Sequence, residues 1–496
     1  MITQLFSNEP LITSTMGHTY LCMHGHFYQP PREDPFTNQL PNEPGAAPFA
    51  NFNEKITAEC YRPNADVGNF ESMSYDIGPT LASWLEQSHL DVYQRILASE
   101  RRHIQCYGVS NALAQTYNHT ILPLANARDK RTQILWGLQD YHHRYGHNAH
   151  GMWLAETAVD IESLDIMAQH GVTYTVLAPW QAATPINSTE PYIVPLYNGR
   201  RMTVFFYNAP LSGGISFDWN VTNDADVFAA SYLPTHIIPD KSMNGEPQLL
   251  LIATDGELYG HHKPWRDKFL DYLVNHGAPE HGFEICSLER YMCMYQAIRE
   301  VQLHVPSAWS CAHGVARWNF GCSCTEGNSS WKGSLRMALV RLAGRSNLLF
   351  EQYTRDTLND PWVARDDYLA LHNGWETLEN FWIRHGKYSL TSADEQAMKR
   401  IQQTQQLLEA QYYLQYSFTS CGFFFEDLDR IEPRNNIAFA RHAISLIWQA
   451  LGIDLQQNFV RDLQATRSWR TQRSGADLYQ RLPAVSKDLL PPLALI

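Results

Sequence analysis

The chain has 496 residues, 44% hydrophobic and only 18% charged, which is enough for a large core and for two or three domains. A net charge of -13 with no long basic run excludes nucleic acid as the main partner, because phosphate contacts need clustered Lys and Arg. The first residues lack the pattern of a signal peptide, no run of about 18 apolar residues predicts a membrane span, and nine scattered cysteines are no secreted disulfide framework, so a cytoplasmic protein with reduced thiols is expected.

A first buried strand is expected over residues 19–24, running out at His24 and His26. A Pro-rich loop follows, then a helical stretch near 79–100, a short strand at IQCYGV and a helix from Asp129 to about Gly146. GMWLAE reads as a strand running into Glu156, followed by a helix near 159–170 and the apolar run VTYTVLAP. Strands are expected again at 202–208, at QLLLIATD (248–255) and at 283–288, with a helix from about Pro264 between the last two. Such alternation marks a parallel α/β sheet or barrel, and roughly seven strand candidates suit a barrel. The fold class is therefore α/β, a (β/α)7-type distorted barrel. No G-x-G-x-x-G follows any strand, which leaves dinucleotide binding without support. From about residue 331 the pattern becomes helical: Ser392-Ala-Asp-Glu395 reads as a capping box, and Phe439, Ala443, Leu446 and Ile447 mark a helix ending at Gly452. The expected division is a barrel over 17–305 and an α-helical C-terminal domain over 306–496.

Four polar stretches sit at or just past strand ends: HGHFYQPP (24–31), YNHTILPL (117–124), GMWLAETAVD (151–160) and DGELYGHH (255–262). Barrel enzymes place their chemistry at such ends. Glycoside hydrolysis with retention needs two carboxyl groups about 5–5.5 Å apart, and Glu156 and Asp255 could converge from different strands. Aromatic residues make up 12% of the chain and suit a groove for sugar rings, with Trp153 as a stacking face and Trp180 as a rim contact. Gly256 would let the backbone turn just after Asp255.

The order of these stretches resembles glycoside hydrolase family 57, the retaining α-glucan enzymes. The family's opening His-x-His and Gln-Pro motif is matched by His24, His26, Gln29 and Pro30. Its Trp-x-x-Glu segment is matched by Trp153 to Glu156, and its Asp-x-Glu-x-(Phe/Tyr)-Gly segment by Asp255 to Gly260. The resemblance implies Glu156 as nucleophile, Asp255 as acid/base, and Glu257 as a supporting, substrate-contacting residue. It also implies substrate contact at His24 and His26. SAWSCAHGVARW (307–318), Gly321 to Cys324 and SCGFFFEDL (420–428) resemble a subgroup whose C-terminal domain has no assigned function. The family's second motif often carries a Glu. Here that region has no acid, and Asn111, Gln115 and His119 are the candidates for its place. His261, and Trp309 from the helical side, complete the expected substrate contacts. The expected partner is an oligo- or polysaccharide, with no nucleic acid, membrane or cofactor, and with hydrolysis or glycosyl transfer left open.

Blander readings stand beside these. Glu156 in a first helical turn, or Asp255 as an N-cap, would be ordinary structure. His143 and His147 fall about 180° and 220° from Ile134 on their helix, opposite its apolar stripe, and are expected to face solvent rather than a metal. Cys311, His313, Cys322 and Cys324 are zinc-type ligands in no standard zinc spacing, and no metal is assigned to them. Two rival functions are a metal-dependent carbohydrate deacetylase or mannosidase, using Asp255 with His261 or His262, and a non-catalytic glycan-binding protein.

Overall fold

The computed structural model describes residues 18–390 and 394–482. Strand β1 (Thr19–Phe27) lies at the centre, parallel to β2 (Ser74–Ile77) on one side and β8 (Gln248–Asp255) on the other. The sheet continues from β2 through β3 (Ala112–Gln115) to β4 (Met152–Trp153), while β9 (Phe283–Ile285) pairs with the first three residues of β1. A second sheet holds β5 (Tyr174–Leu177) parallel to β7 (Arg201–Phe206), with β6 (Tyr192–Pro195) antiparallel on β7. A bridge between Gly151 and Tyr174 joins β4 to β5. On the far side the Asn208 N–H just past β7 donates to Leu251 O of β8 at 2.7 Å. Seven parallel strands, β1 to β5 with β7 and β8, thus run round a distorted barrel, as the sequence pattern predicts.

Successive side chains on a strand point to opposite faces, and that period sorts the barrel's residues. Tyr20 and Cys22 of β1 share an inner cluster with Leu113, Trp153, Val176, Phe205, Leu249 and Leu251. Leu21, Met23 and Phe27 join the outer core beneath the surrounding helices. The same register carries His24, His26, Asp76, Gln115 and Asp255 to the inner face at the C-terminal ends of their strands. His26 is the Cα partner of both Asp76 and Asp255. Polar residues therefore form the top layer of an otherwise apolar filling.

One strand expectation needs correction. IQCYGV is the last turn of the helix Leu90–Tyr107 and the residues that end it, with Gly108 in the left-handed region at φ 76°. The strand follows at Ala112 instead. The stretch near 79–100 is two helices, Pro79–Ser88 and Leu90–Tyr107, which meet at His89. β2 and β6 carry no sequence signal strong enough to be read: each is four residues long, and β2 contains the buried Asp76.

Beyond the barrel the long helices are Trp331–Thr354, Pro361–His372, Glu395–Tyr416 and Ile431–Leu451. The last ends at Gly452 with φ 68°, as expected. Ser392 of the predicted capping box lies outside the described residues. Asp394 is the N-cap, its carboxylate accepting from the Ala397 N–H at 2.7 Å. The apolar core of these helices also takes in Tyr117, Ile121, Trp136, Ala155 and Ala158 from the barrel side. Arg365, fully buried between the two parts, donates to Asp129 Oδ1 at 2.8 Å and to Thr132 Oγ1 at 2.8 Å. Among the described residues, no helix is long and apolar enough to cross a membrane.

Candidate active site

At the C-terminal mouth of the barrel, β4 runs into a turn in which Glu156 (φ 58°) and Thr157 (φ 49°) both hold left-handed backbone. For residues with a Cβ this conformation is strained and persists only where the surroundings enforce it. The clamp here is Gln181, fully buried after β5. It accepts from Thr157 Oγ1 at 2.8 Å, and its amide donates to Thr157 O at 2.9 Å and to Ser307 Oγ at 3.1 Å. The turn aims Glu156 at the mouth, where Trp309 Nε1 (2.9 Å) and Ser310 Oγ (2.7 Å) both donate to its Oε2. Glu156 is thus no ordinary acid of a first helical turn.

Asp255 ends β8 and faces the open cleft. It occupies the cap position of the short turn Gly256–Leu258, yet its carboxylate makes no capping bond, so the N-cap reading does not account for it. Gly256 plays a different part from the one expected. Its φ is not positive, and a Cβ there would stand 2.3 Å from the Phe27 ring, so the glycine permits close packing rather than an unusual turn. Two residues on, buried Glu257 accepts from Tyr61 OH at 2.7 Å and from the Tyr28 N–H at 3.1 Å.

Beneath the carboxylates lies a histidine relay. Asp76 Oδ1 pairs with His24 Nε2 at 3.1 Å, and Oδ2 with His26 Nδ1 at 2.8 Å. Gln115 Nε2 donates to the same Oδ2 at 2.5 Å. His26 Nε2 meets His119 Nε2 at 3.2 Å, and His119 Nδ1 meets Ser420 Oγ at 2.6 Å. The row is satisfied either by a neutral His26 that donates to Asp76 and accepts from His119, with Ser420 donating to His119, or by a cationic His26 that donates to Asp76 and to neutral His119, which in turn donates to Ser420.

The electrostatics favour the cationic arrangement. Burial opposes charge on His26, but Asp76 overcomes it and, helped by Asp255 and Glu257, raises the imidazole to about 9. Burial and the neighbouring His26 charge drive His119 well below its ordinary value. Burial alone would raise Asp76, yet His26 and His24 hold it below the ordinary carboxylate range. Glu156 is raised by burial, against the pull of its Ser310 and Trp309 donors, and the Asp255 charge raises it further. Asp255, open to water in the cleft, is raised by the protein crowded around that cleft, with His26 and His262 pulling the other way. Burial, opposed by the Tyr61 hydroxyl, pushes Glu257 up to about 7.

Several expected contacts change role. His24 and Trp153 are fully buried, and the Trp153 ring stacks on His24 (4.8 Å) and His26 (5.0 Å), so it offers no free face to a sugar. Both ring nitrogens of His26 and of His119 are engaged within the relay. His261 is paired with Glu59 at 2.6 Å, and its neighbour His262 is the imidazole whose charge reaches Asp255. Trp180 does sit at the rim, 50% exposed, with its Nε1 donating to Ala308 O at 3.2 Å. Trp309 is half-buried beside Glu156, edge-on to Trp153 and Tyr207. Trp318 is core. His143 is exposed and stacks on Trp375, while His147 pairs with Glu100 at 2.8 Å, so neither belongs to a metal site. Asp76, Ser310 and Ser420 are site residues that the sequence reading does not find. Asp76 lies in SYDI, four residues that are too few to carry a strand period of their own.

The chain matches the profile described as Glycosyl hydrolase family 57 over residues 28–304, and that described as Domain of unknown function (DUF3536) over residues 328–488. Similar solved structures include an exo-type maltose-forming amylase from Pyrococcus sp. ST04, with a TM-score of 0.71, 13% identity, and coverage of 90% of this chain and 82% of that one. A GH57-type branching enzyme from Pyrococcus horikoshii gives 0.61 at 14% identity, covering 97% and 100%. An α-amylase from Thermotoga maritima gives 0.55 at 12% identity, covering 94% and 99%. No curated protein matches.

Proposed function

The chain belongs to glycosyl hydrolase family 57, and on that premise we propose that it is a retaining glycosidase or transglycosylase acting on α-linked glucan, with Glu156 as nucleophile and Asp255 as acid/base. The observation that carries the assignment is the contrast between the two carboxylates. Hydrogen bonds to a carboxylate favour its charged form. Glu156 has two donors on Oε2 and Asp255 has none on its carboxylate, so Glu156 is the one poised to stay ionised and Asp255 the one poised to keep a proton.

In the first step the Asp255 proton passes to the glycosidic oxygen as the bond from that oxygen to C1 breaks. Glu156 Oε1, the oxygen that Trp309 and Ser310 leave free, forms an ester to C1. In the second step water or an acceptor hydroxyl attacks C1, gives its proton to the Asp255 carboxylate, and releases Glu156. His26, positive and close to all three carboxyl groups, limits their mutual repulsion and so allows Glu156 to remain charged beside Asp255. Trp180 and Trp309 supply aromatic surface around the cleft.

The amylases and the branching enzyme named above support an α-glucan as substrate. The metal-dependent rival needs Asp255 with His261 or His262, and His261 is committed to Glu59. None of the nine cysteines is joined in a disulfide, which supports a reducing, cytoplasmic setting. The division at 305/306 remains part of this proposal, with both parts contributing to one site. A product assay on maltooligosaccharides and glycogen tests the assignment. Asp255→Asn should lower kcat by about 10²–10⁴-fold, and Glu156→Gln by at least as much. Equal product from wild type and both variants would end it.

A further inference from the structure

Ser310 and Trp309 hold Glu156, and the next residue in the chain is Cys311. From there to residue 330 the chain has almost no regular structure, only the single turn Ala316–Asn319. What fixes this loop is a question that its hydrogen bonds answer only in part. Cys311 Sγ lies 3.7 Å from Cys322 Sγ, and Cys324 Sγ lies 3.4 Å from His313 Nδ1. One ligand atom from each of these four residues falls within 4.8 Å of every other.

Tetrahedral zinc has Zn–S bonds of about 2.3 Å and Zn–N bonds of about 2.0–2.1 Å, which place neighbouring sulfurs about 3.8 Å apart and sulfur about 3.6 Å from nitrogen. The observed 3.7 and 3.4 Å are close to those spacings, and the other pairs of ligand atoms lie within 4.8 Å. A disulfide would bring two sulfurs to about 2.05 Å and would leave the paired His313 and Cys324 unexplained. The sequence spacing, C-x-H followed by C-x-C, disguises the set because its two halves meet only in space.

The surroundings fit a charged metal centre. Three thiolates and a neutral imidazole around a divalent ion carry a net charge of -1. Lys332, fully buried, interacts electrostatically with Cys311 and Cys322 and donates to Thr325 Oγ1 (3.0 Å) and Phe424 O (3.2 Å). Arg317 donates to Cys324 O at 2.8 Å. Glycines bracket the ligands where the chain must bend. Gly314 has φ 72°. Gly321 has φ 88°, and a Cβ there would lie 2.4 Å from Ser329 O.

We propose that Cys311, His313, Cys322 and Cys324 form a structural zinc site that pins the loop presenting Trp309 and Ser310 to Glu156. Binding releases the three thiol protons and involves no redox change. All four positions are filled by protein, so the ion is a staple and takes no part in the chemistry. Three soft thiolates and an imidazole in a tetrahedral set select zinc over magnesium or calcium.

The test uses the full chain, purified without chelator. About one zinc per chain is expected, released in step with thiol titration by a mercurial. Replacement by cobalt(II) should give the intense thiolate-to-metal bands of a tetrahedral site. Cys322→Ser with Cys324→Ser should abolish both. Wild-type protein that holds less than about a tenth of an equivalent, before and after incubation with zinc, would overturn the site, and so would metal retained by the double variant. Mercurial titration of the wild type needs no variant to fold. The zinc count and the cobalt spectrum are read independently of the role of Glu156, whereas the kinetic arm rests on that role. There, zinc loss should lower kcat by about 10–100-fold and shift the acid limb of the pH profile upward, as Glu156 loses its donors. Full zinc loss with kcat and pH profile unchanged would overturn the positioning claim.

Discussion

Glu156 and Asp255 differ in what their oxygens touch, and that difference sets the pH behaviour. As the proposed nucleophile Glu156 must be charged, and burial raises its pKa, so activity should be lost as pH falls through a value above the ordinary carboxylate range. As the proposed acid Asp255 must hold its proton, and its pKa is also raised, so activity should be lost as pH rises through it. The kcat/KM profile should therefore be a bell displaced upward, and an acid limb at ordinary glutamate values would contradict this. Glu257 titrates near 7 in the same cleft, so Glu257→Gln should reshape the profile close to neutrality. Asp76 is the residue on which the relay depends. Its depressed pKa contributes stability above the ordinary carboxylate range, lost as pH falls through the folded value. The raised His26 contributes stability below about 6.5, lost as pH rises through about 9. Asp76→Asn breaks this buried pair and should cost about 3–5 kcal/mol in urea unfolding at neutral pH. Motif order brought Glu156, Asp255 and Glu257 into view. Asp76 stayed hidden because a single buried acid in a four-residue strand looks like a turn residue until its two histidines are seen against it.

Among the elements, long apolar strands such as β1 and β8 were legible because burial on both faces writes a continuous apolar run. IQCYGV misled for the converse reason. Ile104, Cys106 and Tyr107 lie in the last turn of a helix and Val109 just beyond it, and a short apolar run has no period of its own. The inward alternation of β1 and β8 explains why His24, His26 and Asp255 share one layer, but it does not reveal which of them touch substrate. That depends on neighbours from other strands, such as Trp153 stacked over both histidines. Gly256 is the element-scale test. In Gly256→Ala the new methyl meets the Phe27 ring, so stability should fall by about 1–3 kcal/mol and kcat with it, as Asp255 moves. Unchanged thermal unfolding would show that the turn accommodates a side chain.

At the scale of the whole molecule, the helical part is not an appendage. It buries barrel residues in its own core, donates Ser420 to the relay, and is preceded by the loop that carries Trp309 and Ser310. A chain ending at residue 305 loses Trp309, Ser310 and Ser420 together. It should be insoluble or, if soluble, show less than about one hundredth of wild-type kcat, since a displaced catalytic group alone can cost 10²-fold. Full activity would separate the two parts. Composition and helical period made the change after residue 331 readable. The shared core was not readable, because a sequence pattern gives the apolar face of a helix without naming what covers it.

The measurement that bears most directly on the central claim is covalent trapping. Asp255→Asn, given a glucosyl donor with a leaving group that needs no protonation, should accumulate a glycosyl-enzyme. Peptide mass spectrometry should then find one added glucosyl unit on the peptide containing Glu156. No adduct under turnover, or an adduct on Glu257 instead, would contradict the account.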